Sequence, residues 1–309
     1  MLFFGHLVMQ QDIESLQTIR DFVRWGASRF NEKGLFYGHG TDNALDEAAV
    51  LVLSALFLPS DLNATYLDSH VTPSERGKIL AILSQRIDER VPAAYLTNEA
   101  LFAGLKFYVD ERVLVPRSPI AELIENGFAP WVSEDSVGRV LDLCTGSGCI
   151  AVACAYCFPD ASVDAVDVSP KALDIARINI ERHGMTERIE PILSDLFNGL
   201  RGRRYDLIVS NPPYVSLDEY SGLPVEYHRE PILGLEAGVD GLDLVSRILT
   251  QSVDFLEPGG VLIVEVGSSA EALIARYPDV PFMWLDFERG GDGVFLLTAE
   301  ELSEYRLLF

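Results

Sequence analysis

Positive charge is what this sequence has least of. Lysine and arginine number 24 against 47 aspartates and glutamates, a formal net charge of −23 over 309 residues. Binding to a nucleic-acid backbone depends on Lys and Arg neutralising phosphates, so this balance argues against DNA or RNA as a partner. It would instead attract a basic macromolecule and speed the encounter, and it would serve solubility equally well. Long apolar runs are also missing. No stretch approaches the roughly 18 uninterrupted apolar residues of a membrane span. The apolar opening Met1-Leu2-Phe3-Phe4 has neither a basic start nor a small-residue cleavage site and does not read as a signal peptide. No membrane partner and a cytoplasmic location are therefore expected. Cysteine is scarce and confined: Cys144, Cys149, Cys154 and Cys157 are the only four. Cys154 and Cys157 have C-x-x-C spacing, but no second pair and no nearby histidine completes a zinc set. Ile150 to Tyr156 reads as a buried helix, where cysteine behaves as a small hydrophobe. No metal is expected.

What remains is an ordinary globular composition, long enough for one large domain and a smaller one. The first third is predicted to be helical. Ile13, Leu16, Ile19, Phe22, Val23 and Phe30 recur at helical spacing, and an apolar run covers Ala48 to Leu58. A third helix is predicted from Pro73 to Arg90, with Thr72 as N-cap, ending at Pro92-Ala93-Ala94-Tyr95-Leu96. A hairpin is then expected from Leu105–Val109 and Arg112–Val115 around Asp110-Glu111, followed by a helix opened by Arg117-Ser118-Pro119. From Arg139 onward strands and helices alternate, the pattern of a parallel sheet covered on both faces. Five strands are predicted at Arg139–Leu143, Val163–Asp167, Glu190–Leu193, Asp206–Ser210 and Gly260–Val266, with a helix at Leu242–Leu256. Two more, at Phe282–Phe287 and Gly293–Leu297, surround the turn-rich Arg289-Gly290-Gly291-Asp292 as an antiparallel pair. The expected domains are a helical one over 1–100, a hairpin and linker helix over 101–135, and an α/β Rossmann-like domain over 136–309.

Three turns in that domain carry polar residues suited to chemistry. Asp142-Leu143-Cys144-Thr145-Gly146-Ser147-Gly148 leads from a strand into a helix, where small residues let a ligand approach the backbone. Its spacing does not fit the dinucleotide G-x-G-x-x-G pattern, and an aspartate at the strand end would repel a pyrophosphate. A cofactor with a cationic sulfonium and an amino-acid tail suits it better. Asp167 ends the second strand, where a carboxylate can accept both hydroxyls of a ribose. Ser194-Asp195 ends the third; Asp195 reads as an adenine contact or as a solvated loop residue. His39, between glycines, reads as a structural loop residue.

Asn211-Pro212-Pro213-Tyr214 directly follows the fourth strand. Two prolines remove two backbone donors and stiffen the loop. The Asn211 carboxamide oxygen and the next carbonyl can then both accept from one planar NH2 group. Such a nitrogen is barely nucleophilic, and two acceptors on its hydrogens orient it and stabilise the positive charge of methyl transfer. Tyr214 supplies an aromatic face to hold the group in line. The exocyclic amine of adenine would fit the same grip, but a nucleic-acid enzyme would be expected to carry a basic stripe, and none is present.

With Asp142–Gly148, Asn211–Tyr214 and the runs Glu230–Leu235 and Gly238–Leu242, essentially the whole chain resembles the protein glutamine N5-methyltransferases. That resemblance implies a helical N-terminal domain for substrate recognition, a linking hairpin and a class I methyltransferase sheet. It implies S-adenosyl-L-methionine as cofactor, held by Asp142, Cys144, Thr145, Gly146, Ser147, Gly148, Asp167, Asp195 and Asn211. Asn211, Pro212 and Tyr214 would be catalytic and would bind the acceptor together with Pro213. Val115-Pro116-Arg117-Ser118-Pro119 departs from the Pro-Arg-Pro-Asp/Glu-Thr-Glu run of the enzymes that modify release factors. With Tyr37–Asn43 and Val91–Asn98, it resembles the branch acting on ribosomal protein uL3, which implies that basic protein as partner. Cys144 stands where the wider superfamily usually has glycine.

Overall fold

In a computed structural model of the chain, residues 13–309 are described, so the reading of Met1–Phe4 lies outside the described residues. The chain forms two compact units. One runs to Asn98 and also takes in Pro224–Arg229; the other comprises Glu99–Leu223 and Glu230–Phe309. The hairpin and linker helix therefore fall within the sheet-containing unit rather than in a segment of their own.

The first unit contains helices α1 (Ile19–Glu32), α2 (Ala44–Ala55), α3 (Pro73–Asp88) and the short α4 (Ala93–Thr97). The periodicity beginning at Ile13 does not make one uninterrupted helix. Thr18 is extended and forms a reciprocal capping box with Asp21, which starts α1 at Ile19. Thr72 forms the same box with Glu75, with Pro73 in the first helical turn. Pro92 does not simply end the run: it leads directly into α4. Phe22, Phe30, Leu51, Ile79 and Leu83 from the three long helices meet in a core from which solvent is excluded. His39 is buried too, its ring 4.7 Å from that of Tyr227.

Arg86 lies within this unit at 1% exposure. Its Nε donates to Glu47 Oε1 at 2.6 Å, one terminal nitrogen to Glu226 Oε1 at 3.2 Å and the other to the Phe36 carbonyl at 2.8 Å. Glu226 also accepts from Arg90 at 3.1 Å and from the Phe36 amide at 3.1 Å. Burial pushes the Glu226 carboxyl up, but backbone amides and the two arginines outweigh that and hold it below its ordinary value. A folded-state value that is lowered gives stability present above the unfolded value and lost as pH falls through the folded one.

The second unit is built on a seven-stranded sheet. Its strands are β3 (Arg139–Leu143), β4 (Ser162–Asp167), β5 (Ile189–Leu193), β6 (Tyr205–Ser210), β7 (Leu256–Glu265), β8 (Met283–Leu285) and β9 (Val294–Thr298), in the order β5-β4-β3-β6-β7-β9-β8. The first five are parallel; β9 runs antiparallel to both β7 and β8. This is the α/β class I methyltransferase arrangement with its C-terminal antiparallel pair. Alternate residues of each strand feed opposite layers. Val140 and Val163 pack with helices α5 (Ile120–Glu125), α6 (Cys149–Cys157) and α7 (Pro170–Arg182), whereas Leu141 and Leu143 pack with α9 (Asp243–Ser252), α10 (Ala270–Arg276) and α11 (Ala299–Glu304). Helix α8 (Leu217–Gly222) lies in the loop after β6.

The expected hairpin around Asp110-Glu111 is displaced. The strands that pair are β1 (Ala100–Phe102) and β2 (Leu105–Phe107), joined at Ala103-Gly104. Both turn residues have positive φ, 46° and 71°, as a tight two-residue hairpin requires. Asp110 instead accepts from the Arg112 amide and guanidinium at 3.1 and 2.6–2.8 Å, a local side-chain turn that competes with strand pairing. The strand expected from Gly260 begins earlier, at Leu256, through a register irregularity opposite Tyr205–Leu207.

Arg86→Ala should destabilise the helical unit by about 3–5 kcal/mol, because it leaves the buried Glu47 carboxylate without its cation and Glu226 with Arg90 alone; urea unfolding measures it. In the unsubstituted protein the midpoint should fall as pH drops below the ordinary glutamate range toward the lowered folded-state value of Glu226.

Candidate active site

Parallel strands put their carboxyl ends, and the loops that follow, on one edge of the sheet, and the site is assembled there. After β3 the chain turns through Cys144, Gly146 and Gly148 at φ values of 61°, 54° and 79°. Glycine adopts this region freely and cysteine does not. Asp142 lies behind the turn, fully buried. Its Oδ2 accepts from Thr145 Oγ1 at 2.5 Å and from the Ala151 amide at 3.0 Å, which fastens the turn to the first residues of α6. Burial pushes the Asp142 carboxyl up to about 7 against the pull of those two donors. Its Oδ1 is buried without a hydrogen-bond partner among the described residues.

Asp167, at the end of β4, accepts from the Gly146 amide at 2.9 Å and from the Ser169 amide at 2.8 Å. It is raised above the ordinary carboxylate value, mainly by burial. Asp195, past β5, is exposed, and both of its oxygens meet Arg247 Nη2 at 2.8 Å. Asn211 follows β6, and among the described residues no protein hydrogen bond occupies its carboxamide.

A cavity of about 410 Å³ joins these loop ends. Cys144, Thr145, Gly146, Ser147, Asp167, Asp195, Asn211 and Pro213 line it, as do Arg117, Ser118 and Arg247. Asp142, Gly148, Pro212 and Tyr214 do not. Asp142 and Gly148 stand behind the turn as its supports. The Tyr214 hydroxyl donates to Glu265 Oε1 at 3.0 Å, and its carbonyl accepts from Ser269 Oγ at 2.6 Å.

Residues 128–222 match the family model of the methyltransferase small domain. Over 299 residues the chain is 53% identical to the ribosomal protein uL3 glutamine methyltransferase of Neisseria meningitidis serogroup B, an alignment covering 96% of this chain and 98% of that protein. The chain belongs to this family of glutamine methyltransferases. The protein of the same name from N. meningitidis serogroup A is 52% identical over the same shares of the two chains. A solved methyltransferase from Pyrococcus furiosus is 21% identical, with a TM-score of 0.47 over 63% of this chain and 89% of its own.

Three buried polar residues that bond to the cavity lining without facing the cavity had no role assigned from the sequence. Asn179, fully buried on α7, donates to the Ser147 carbonyl at 2.8 Å and exchanges hydrogen bonds with the Tyr108 backbone at 2.7 and 2.9 Å. An asparagine inside a helix is a poor helix former, and that was the one available signal. Glu230 accepts both terminal nitrogens of Arg117 at 2.6 and 2.7 Å and the Val115 amide at 2.8 Å. Burial pushes Glu265 up to about 7, while Ser118, Tyr214 and Arg117 pull it down and Asp292 adds to the rise. A lone acid closing the apolar run of β7 was visible, but its partners were not.

Gly148 also sets a packing distance. A Cβ there would lie 3.2 Å from the Ala176 side chain and 3.3 Å from its Cα. Gly148→Ala should therefore destabilise the sheet unit by about 2 kcal/mol through backbone strain and overpacking together, read as a lower urea midpoint with an unchanged m-value.

Proposed function

We propose that this methyltransferase moves a methyl group from S-adenosylmethionine to the side-chain amide nitrogen, N5, of a glutamine in ribosomal protein uL3. The observation that carries the reading is that Asn211 and Pro213 of the Asn-Pro-Pro-Tyr motif open onto the same cavity as the Cys144–Ser147 turn and Asp167. The donor set fits the cofactor. Asp167 retains lone pairs for ribose hydroxyls, the turn offers backbone without bulky side chains, and the orphaned Asp142 Oδ1 adds negative potential behind a cationic ligand. Cys144, Thr145, Gly146, Ser147, Asp167 and Asp195 would hold it directly, with Asp142 and Gly148 supporting the turn. When bound, S-adenosylmethionine supplies an electrophilic methyl group.

This chain's own residues deal with a weak nucleophile. The Asn211 carboxamide oxygen and the Pro212 carbonyl accept the two hydrogens of the glutamine NH2, which aims its nitrogen and stabilises the charge developing on it. The stiff Pro212-Pro213 backbone keeps those acceptors from rotating away. Tyr214 holds the planar amide in line. The amide proton leaves after transfer, so no base is required before attack.

The basic partner is supported by charge. The helical unit carries 13 acidic and nine basic side chains, a net −4; the catalytic unit carries 34 and 15, a net −19. Long-range attraction of uL3 thus falls to the catalytic unit, and the helical unit is left to contribute shape-specific contacts. Nucleic acid is disfavoured by the same field.

Purified enzyme with labelled S-adenosylmethionine should label uL3, and not a release factor or DNA. Label on release factor alone would overturn the uL3 assignment, and label on DNA alone the protein acceptor. Asn211→Ala should lower turnover by on the order of 10²–10³ while calorimetry still detects cofactor binding. Parallel loss of both would make Asn211 structural.

A further inference from the structure

At the carboxyl end of β7 one buried carboxylate receives hydroxyls from two distant segments. Glu265 is 5% exposed; its Oε1 accepts from the Tyr214 phenol at 3.0 Å, and its Oε2 accepts from Ser118 Oγ at 2.5 Å. The β6–β7 register pairs Ser210 with Val264, so Glu265 occupies the position beside Asn211. Arg117, a cation that acts on Glu265, is already engaged by both oxygens of Glu230, so Glu265 is held mainly by hydroxyls. A carboxylate so placed is costly to bury, and nothing in the methyl transfer described above uses it.

Its two partners are constrained on their other sides. A Cβ on Gly267 would come within 2.5–3.0 Å of Tyr214 Cε2, Cζ and the hydroxyl oxygen, so the ring lies flush on a glycine. Ser269 Oγ fixes the Tyr214 carbonyl. Ser118 lines the cavity, and its Oγ accepts from the Ile120 amide at 3.1 Å, which ties it to the start of α5. At the far end of the same ring, the phenol donates to Glu265.

We propose that Glu265 is a positioning residue for methyl transfer, which fixes the Tyr214 ring and the Ser118 wall of the cavity through one carboxylate. The inference rests on the reading of Tyr214 as part of the acceptor site. Glutamine at this position would keep both links, because its oxygen accepts one hydroxyl and its NH2 donates to the other. Alanine would break both. Loss of alignment by about 1 Å costs on the order of a hundredfold in rate.

Full-length Glu265→Gln should keep kcat within about threefold of the unsubstituted enzyme, whereas Glu265→Ala should lower it by about thirty- to a hundredfold with little change in the Kd for S-adenosylmethionine. Tyr214→Phe should add little when combined with Glu265→Ala, since the two share one interaction. A Glu265→Gln variant as impaired as Glu265→Ala would replace positioning by a role for the charge or proton. Undiminished kcat in Glu265→Ala, or joint loss of cofactor binding and cooperative unfolding, would also overturn the proposal. Isotope-labelled tyrosine gives a readout that needs no substrate: the Tyr214 ring signals should average in Glu265→Ala and stay distinct in Glu265→Gln. If unsubstituted enzyme binds cofactor but leaves uL3 unlabelled, the functional reading fails while this ring measurement still decides the positioning role.

Discussion

Parallel strands cannot be joined by tight turns, so each must be followed by a crossover that begins at the same edge of the sheet. Everything chemical in this protein depends on that constraint. The loops after β3, β4, β5 and β6 bring Cys144–Ser147, Asp167, Asp195 and Asn211 around one cavity, although they are spread widely along the chain. The antiparallel entry of β9 beside β7 extends the same edge, pairing Glu265 with Val294 and the Val266 amide with the Gly293 carbonyl. The β7 end is thereby held rigid where Tyr214 leans on it.

Buried polar groups serve as joints between segments. Asp142 fastens the first turn to α6, Asn179 fastens it to the Tyr108 segment, Glu230 binds the 115–117 strap, and Glu265 links Ser118 to Tyr214. Each would be a liability without its partners, because an unpaired polar group in the interior costs roughly 1–3 kcal/mol and a charge more. The orphaned Oδ1 of Asp142 is an exception among these joints, and it stands behind the Cys144–Gly148 turn. The helical unit follows the same rule, with Arg86 satisfying Glu47, Glu226 and the Phe36 carbonyl at once.

Charge is divided unequally between the units. Pro224–Arg229 leaves the loop that follows the Asn-Pro-Pro-Tyr motif and belongs to the helical unit, anchored there by Glu226. Most of the net negative charge lies in the catalytic unit.

Features governed by near neighbours were legible in the sequence. Thr72-Pro73 marks the start of α3, and the strands from Arg139 to Ser210 are close to their expected bounds, because caps and alternation are local physics. Asn211-Pro212-Pro213-Tyr214 suggested a chemistry for the same reason, as contiguous residues whose donors and acceptors can be counted from the sequence. The hairpin was misplaced because Asp110 could complete a turn in either of two ways, and only its contact with Arg112 chose between them. Tertiary structure alone decided which predicted site residues face the cavity and which stand behind it. It also decided what Glu265 does, since its Ser118 partner lies 147 positions away. A hydrogen bond between residues so far apart leaves no periodicity to read, and it exists only once the sheet has brought β7 alongside β6.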